Sequence, residues 1–273
     1  MSYLDKQAVE RSLPAADGGL IFLRHWPSDG AWALVIAHGN GSHGGVYGQL
    51  ASHLDGVDVY APDLRGYGAS SIAPAEMTDF QGWVDDLTTV CAEAARAGKK
   101  VVLLGHSLGS LVAVAAAAKV EGLAGIILSS PSPSSKAMTP EWIGGVMELL
   151  QTKGPTAEVR LPWGPEQLVR SPETRREIAE DPLALRPVTT GLLVQIVGLA
   201  SAAEAAGPAV TAPALLLLPG DDQLVERSES LRMFGWLASA DKTTAEFPGC
   251  YHELPQDDPQ AVARTIARWL ENR

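Results

Sequence analysis

Two cysteines among 273 residues, Cys91 and Cys250, are too few for a disulfide framework, and neither sits in a spacing that would hold a metal. Cations are scarce as well: 21 Lys and Arg face 32 Asp and Glu, a formal net charge of −11. Phosphate binding needs clustered Lys and Arg, so nucleic acid is excluded as the expected partner. Docking on anionic lipid by charge alone is disfavoured for the same reason. The N-terminus, MSYLDKQAVERSLPAADGG, has no apolar h-region, so no secretory signal is expected. No run of about 20 apolar residues stands out, so no transmembrane helix is expected either. The expected location is cytoplasmic. No internal repeat or low-complexity tract interrupts the chain.

What is present is a sizeable apolar fraction, 46% of residues, in a length that suits one α/β domain carrying an insertion. The chain is organised around KKVVLLGHSLGSLVAVAAAAKV, Lys99 to Val120. Val101 to Leu104 form a short continuous apolar run, the pattern of a strand covered on both faces. Gly105-His106-Ser107-Leu108-Gly109 follows, a G-x-S-x-G turn, and an Ala-rich helix begins at once. On such a turn a serine is held exposed in strained geometry, glycines on either side relieve crowding, and the helix aims its first N–H groups at the hydroxyl. Ser107 is therefore the candidate nucleophile, and the amide of Leu108 a candidate donor to an oxyanion.

Around this stretch, strand-like and helix-like segments alternate. Val9–Leu13 and Leu20–Trp26 read as an antiparallel hairpin at a sheet edge. Trp32–Ala37 reads as a buried strand ending in the Gly-rich loop HGNGSHGG. The second oxyanion donor of such sites comes from a loop after an early strand, and the Asn40 amide is the candidate. His38 is read as structural, since no carboxylate or Cys cluster makes a metal site of His38 and His43. Val46–Leu54 reads as a short helix, Val57–Ala61 as a strand, and Phe80–Ala97 as an amphipathic helix with Trp83, Leu87 and Val90 on one face. In the intervening loop, Asp63 and Arg65 are read as an internal tie. Leu123–Leu128, Pro213–Leu218 and Thr243–Phe247 read as further strands, and Ser228–Ala238 and Pro259–Leu270 as helices. The expected architecture is α/β: a mostly parallel central sheet flanked by helices, with residues 1–130 and 209–273 as core. Residues 131–208 are expected to lack strands and to form an inserted helical cap, with apolar helices at Trp142–Leu150 and Val188–Ala200 lining a pocket for a greasy substrate.

A serine hydroxyl needs a base, and the base needs a group to hold its tautomer. On this kind of sheet the chain order is Ser, acid, His. Of the six histidines only His252 follows Ser107, in the loop after the last strand, so it is the candidate base. Asp221 and Asp222 both stand at a strand's carboxyl end. Asp222, followed by a polar residue and Leu-Val, is the preferred acid. Glu226 and Glu253 are read as solvated, Cys91 as a small buried apolar residue, and Cys250 as a residue bordering the pocket. No cofactor and no metal are expected.

Taken together, HGNGSHGGVYGQLASHL, PDLRGYGASS, GHSLG, PGDDQLV, PGCYHEL and the segment SPETRREIAEDPLALRPVT resemble an α/β-hydrolase of the monoacylglycerol lipase type, over nearly the whole chain. This is a serine hydrolase group that also takes in serine aminopeptidase S33-like and lysophospholipase-like members. The resemblance implies hydrolysis of carboxylic esters, monoacylglycerols above all, with an apolar acyl tunnel under a mobile cap. It assigns Ser107, Asp222 and His252 to a triad, and the Asn40 and Leu108 amides to the oxyanion hole. Two positions depart from the family pattern: Ser42 stands where Glu is usual, and Pro219 where Gly is usual. The expected partner is a small lipid ester, with transient contact between the cap and a membrane or micelle surface. Rival readings are a short-chain esterase or acyltransferase using the same triad, and a non-catalytic binding module on the same fold. Dehalogenases and epoxide hydrolases use a carboxylate at the elbow, which Ser107 argues against.

Overall fold

The computed structural model describes residues 8–70 and 79–273. Residues 1–7 of the N-terminal reading, and Ser71 of PDLRGYGASS, lie outside them. In chain order the described elements are β1 (Val9–Pro14), β2 (Leu20–Trp26), β3 (Trp32–Ala37), α1 (Gly48–Ser52), β4 (Val57–Pro62), α2 (Gln81–Arg96), β5 (Lys100–His106), α3 (Leu108–Ala117) and β6 (Gly125–Ser129). There follow α4 (Pro140–Lys153), β7 (Glu158–Val159), α5 (Pro165–Leu168), α6 (Pro172–Glu180), β8 (Val188–Thr189) and α7 (Thr190–Ala206). The chain closes with β9 (Ala214–Pro219), α8 (Arg227–Gly235), β10 (Lys242–Phe247), α9 (Leu254–Asp257) and α10 (Pro259–Glu271).

Eight strands form one sheet in the order β1-β2-β4-β3-β5-β6-β9-β10. β1 pairs antiparallel with β2, and β2 antiparallel with β4; every other neighbouring pair is parallel. The continuous apolar run of β5 follows from its central place. Val101 and Leu103 enter the core on the face carrying α2, α3 and α7, while Val102 and Leu104 enter the core on the face carrying α1 and α10. α2 buries Trp83, Val84, Leu87, Val90, Cys91 and Ala94, an i, i+3, i+4 stripe. The Asp63–Arg65 loop is tied internally: Asp63 Oδ1 accepts from Gly44 N–H at 2.6 Å and from Arg24 at 2.8 Å, and Arg65 grips Asp86 with both arms of its guanidinium.

The stretch read as Val46–Leu54 helix is a 3₁₀ turn over Gly44–Tyr47 running into the short α1. Residues 131–208 depart from the strand-free expectation. β7 and β8 pair antiparallel, Glu158 with Thr189 and Val159 with Val188, a ribbon too short for periodicity to reveal. Two further helices, α5 and α6, were not foreseen. Three helices in this segment, α4, α6 and α7, start on local side-chain caps: Thr139, Ser171 and Thr189 accept from the amides of Trp142, Thr174 and Leu192, and Pro opens α4 and α6. α7 begins at Thr190 rather than Val188, because Val188–Thr189 is drawn into the ribbon. By length and composition the stretch Thr190–Ala209, with mean hydropathy 1.4, is apolar enough to cross a membrane, against the sequence expectation. Here Leu192, Leu193, Leu199 and Ala203 are buried and the helix packs on α3.

Candidate active site

The chain runs β3, β4, then returns to the other side of β3 as β5, so the carboxyl ends of β3 and β5 lie side by side at a switch point, where ligands bind in such sheets. The loop after β3 carries Asn40, and the turn after β5 carries Ser107. β9 and β10 add the loops carrying Asp222 and His252. One cavity is lined by Asn40, Ser107, Leu108 and His252, with Leu111, Met138, Trp163, Leu168, Ile196, Leu224 and Val225 supplying apolar walls. Met138, Trp163, Leu168 and Ile196 come from 131–208, and the space they leave is only about 50 Å³.

Ser107 has φ +51 and ψ −119, a strained conformation for a residue with a side chain. The turn closes only because its flanks are glycine. A Cβ on Gly105 would lie 2.4 Å from the Gly109 carbonyl oxygen, and one on Gly109 would lie 2.0 Å from that of Ala37. Leu108 is the first residue of α3, where backbone N–H groups have no acceptor within the helix. The Asn40 side chain faces away from this role, its Oδ1 accepting from the Tyr67 hydroxyl at 2.8 Å. That contact pins the backbone beside it.

His252 is buried, and its Nδ1–H donates to Asp222 Oδ2 at 2.9 Å. Asp222 Oδ1 accepts from the amides of Leu224 at 2.8 Å and Val225 at 2.9 Å. Asp221 is exposed and does not make this contact with His252. Burial works against the charged imidazole, but the Asp222 carboxylate outweighs it by charge and hydrogen bond, and His252 is held above its ordinary value. Burial likewise works against the Asp222 carboxylate, yet His252 and the two amides hold it below the usual range. The Nδ1 proton is committed to the carboxylate, which leaves Nε2 of neutral His252 as the acceptor.

His38 and His43 do not come together as ligands. Leu64 N–H donates to His38 Nε2 at 2.9 Å and His38 Nδ1–H bonds the Gly39 carbonyl, so the ring braces the loop. Burial pushes His38 down to about 4. His43 Nδ1 accepts from Gly45 N–H, and Nε2–H donates to the buried Asp181 at 2.7 Å, a residue that follows α6. Cys250 is buried behind the acid loop, where its carbonyl accepts from Asp221 N–H.

Two residues escaped the sequence reading. Ser130 has φ +47, and its hydroxyl donates to the His252 carbonyl at 2.6 Å, tying the end of β6 to the loop that carries His252. Nothing in the run Ser129-Ser130-Pro131 distinguishes it from a turn serine. Glu253 is not solvated, as the sequence reading had it, but 5% exposed, with Oε2 3.1 Å from His106 Nε2. Its partner lies on β5, far off in sequence, so charge alone misplaced it on the surface.

Comparison with known proteins bears on this geometry. Over 279 aligned residues the chain is 32% identical to "Monoglyceride lipase" of Homo sapiens, covering 94% of this chain and 89% of that protein. It is 26% identical to "Monoacylglycerol lipase" of Mycolicibacterium smegmatis, covering 96% of each. Among solved structures, the monoacylglycerol lipase of Paleococcus ferrophilus superposes with a TM-score of 0.79 at 27% identity, covering 92% of this chain and 98% of that one. The family described as Hydrolase_4: Serine aminopeptidase, S33, matches residues 29–259. With an eight-stranded, mostly parallel sheet, a serine on a strained strand-to-helix turn and this match over most of its length, the chain belongs to the serine aminopeptidase S33 family of α/β-hydrolases.

Proposed function

We propose that the chain is a serine carboxylic-ester hydrolase acting on monoacylglycerols or similar single-chain lipid esters. The observation that carries this reading is one cavity holding Ser107 on its strained turn together with a His252 whose Nδ1 is committed to Asp222. Neutral His252 takes the Ser107 proton on Nε2 as Oγ attacks the ester carbonyl carbon. The oxyanion is held by the Asn40 and Leu108 amides. Asp222 stabilises the imidazolium, which returns its proton to the leaving alkoxide and frees the alcohol. Water, deprotonated by His252, then attacks the acyl-enzyme, and the acid leaves as Ser107 is reprotonated.

The substrate class rests on the apolar walls of the cavity and on the names of the relatives, monoglyceride and monoacylglycerol lipases. Residues 131–208 are proposed as a cap over the site, supported by Met138, Trp163, Leu168 and Ile196 in its lining. Exposed Ile143 and Met147 on α4, and Val194 and Val197 on α7, support transient contact of this cap with a lipid surface.

The test is hydrolysis of glycerol monoesters from C2 to C18 beside matched p-nitrophenyl esters, with Ser107→Ala as control. A rate optimum at medium or long glycerol monoesters, abolished in a folded Ser107→Ala, is expected. Activity confined to short p-nitrophenyl esters refutes the lipid substrate; full activity in Ser107→Ala refutes the mechanism.

A further inference from the structure

We infer that Glu253 is a positioning residue, its buried carboxylate pairing with His106 to form a second acid–imidazole pair directly behind Ser107 and His252. The inference rests on the catalytic reading of Ser107 and His252 given above.

The backbone fixes where this side chain goes. Glu253 N–H donates to the Leu168 carbonyl at 2.9 Å, and the Glu253 carbonyl accepts from Gln256 and Asp257 as α9 begins. The carboxylate is thereby turned inward, with Oε2 3.1 Å from His106 Nε2 and 3.2 Å from Gln256 Nε2. On its other side the His106 ring has Nδ1 3.2 Å from Ser129 Oγ, and its centroid lies 5.2 Å from that of His252. A side-chain carbon at Gly39 would lie 3.2 Å from His106 Cδ2, 3.4 Å from Ser107 Cβ and 3.7 Å from Glu253 Oε1. The oxyanion loop, the elbow and the base loop thus meet around one carboxylate.

A buried carboxylate is costly unless its surroundings answer its charge. The His106 contact is close, but its angle falls outside hydrogen-bond geometry. Burial works to raise the Glu253 carboxyl. His106 first, then His252, outweigh it and keep it below the ordinary range. The imidazolium that forms on His252 therefore meets two carboxylates, Asp222 from the loop after β9 and Glu253 from its own loop. Lys136, from the segment after β6, opposes them, and His106 and Ser107 face it from the end of β5. A second small cavity supplies the control. It is lined by Ser42, Asn40, Gly41, Gln256 and Glu253 together, so a carboxylate introduced at position 42 enters the space that Glu253 faces.

The test reads a pH profile, which loss of packing alone does not displace. The rate of Ser107 labelling by a fluorophosphonate and kcat/KM for p-nitrophenyl butyrate are followed from pH 5 to 9 in the full-length protein. In Glu253→Gln the acid limb moves to lower pH by about half a unit, because the imidazolium has lost a stabilising charge, and the plateau falls about tenfold. In Ser42→Glu/Glu253→Gln the limb moves back toward higher pH. An unmoved limb in Glu253→Gln overturns the inference, as does a limb in the double variant that stays where Glu253→Gln put it. If Glu253→Gln does not fold, Glu253→Asp draws the charge back by one methylene, and a partial acid shift is expected; an unmoved limb there overturns the inference equally. Absence of Ser107 labelling in the wild type at every pH brings down the catalytic reading and this inference with it, whereas labelling with unmoved limbs brings down the inference alone.

Discussion

His38 touches no substrate-facing surface, yet it titrates the fold. Its imidazole is neutral and fully buried, and its Nε2 accepts the Leu64 N–H, a bond that protonation destroys. With a folded value of about 4 against 6.5 for the free side chain, the unfolded chain binds this proton first as pH falls. The stability it contributes is complete above pH 6.5 and is lost on the way down to pH 4, about 3 kcal/mol in all. Urea unfolding at pH 7 and pH 4.5 measures this. The wild type is expected to lose a large part of that amount, and His38→Gln, less stable at pH 7, to lose much less between the two. At the same scale, the groups legible in the sequence were those whose partners obey chain order. The Ser, acid, His order pointed to Ser107 and His252, which share the cavity, and the Asp222–His252 contact separates two neighbouring aspartates that position alone left level. Glu253 and Ser130 stayed hidden because their meaning lies in contacts across strands, which one-dimensional pattern does not carry.

Between elements, the loop after β3 and the chain after α6 are stitched together. His43 and Asp181 form one stitch, and Leu185 N–H to the Gly41 carbonyl, at 2.8 Å, the other. Leu185 adopts φ +49 to make it. Removing His43 takes one hydrogen bond from the buried Asp181 carboxylate, which keeps the Leu183 amide, and frees the Gly45 amide, a loss of about 2 kcal/mol. His43→Ala is therefore expected to lower the unfolding midpoint. Because Asn40 sits on the same loop, it is expected also to cut kcat for a soluble ester more than it raises KM; kcat near wild type would separate the stitch from the oxyanion loop. The helices and strands themselves were read within one or two residues where a strong period or an apolar run marked them, as in β3, β5, α2 and α10. The β7–β8 ribbon was not, since two residues per strand leave no period, and its pairing is fixed by the chain around it.

At the level of the whole molecule, alternation of strands and helices announced a parallel sheet, but the order in which the strands lie is a matter of crossovers, not of local pattern. The proposed contact with a lipid surface rests on the exposed Ile143, Met147, Val194 and Val197, on a chain of net charge −11. α4 packs along α7, so these four side chains belong to neighbouring helices. Attraction driven by apolar contact survives salt, unlike charge attraction. Activity on zwitterionic micelles of a long-chain monoester is expected to be insensitive to about 0.5 M salt, roughly three times physiological ionic strength. Ile143→Ser/Val197→Ser is expected to lower it by at least tenfold while leaving short soluble esters at wild-type rates, given about 1.5–3 kcal/mol per apolar side chain withdrawn from water. A steep loss with salt, or equal losses on both substrates, would contradict this.

The path of the chain between β6 and β9 sets a rule for rebuilding the enzyme. Those two strands lie side by side and parallel, so the chain must travel back along the sheet to join them, and α7, packed on α3, is the part that makes the journey. An engineer wishing to transplant another protein's specificity has to treat α7 as foundation and cut above it, at the β7–β8 ribbon, where the grafted piece can arrive and depart through adjacent antiparallel ends.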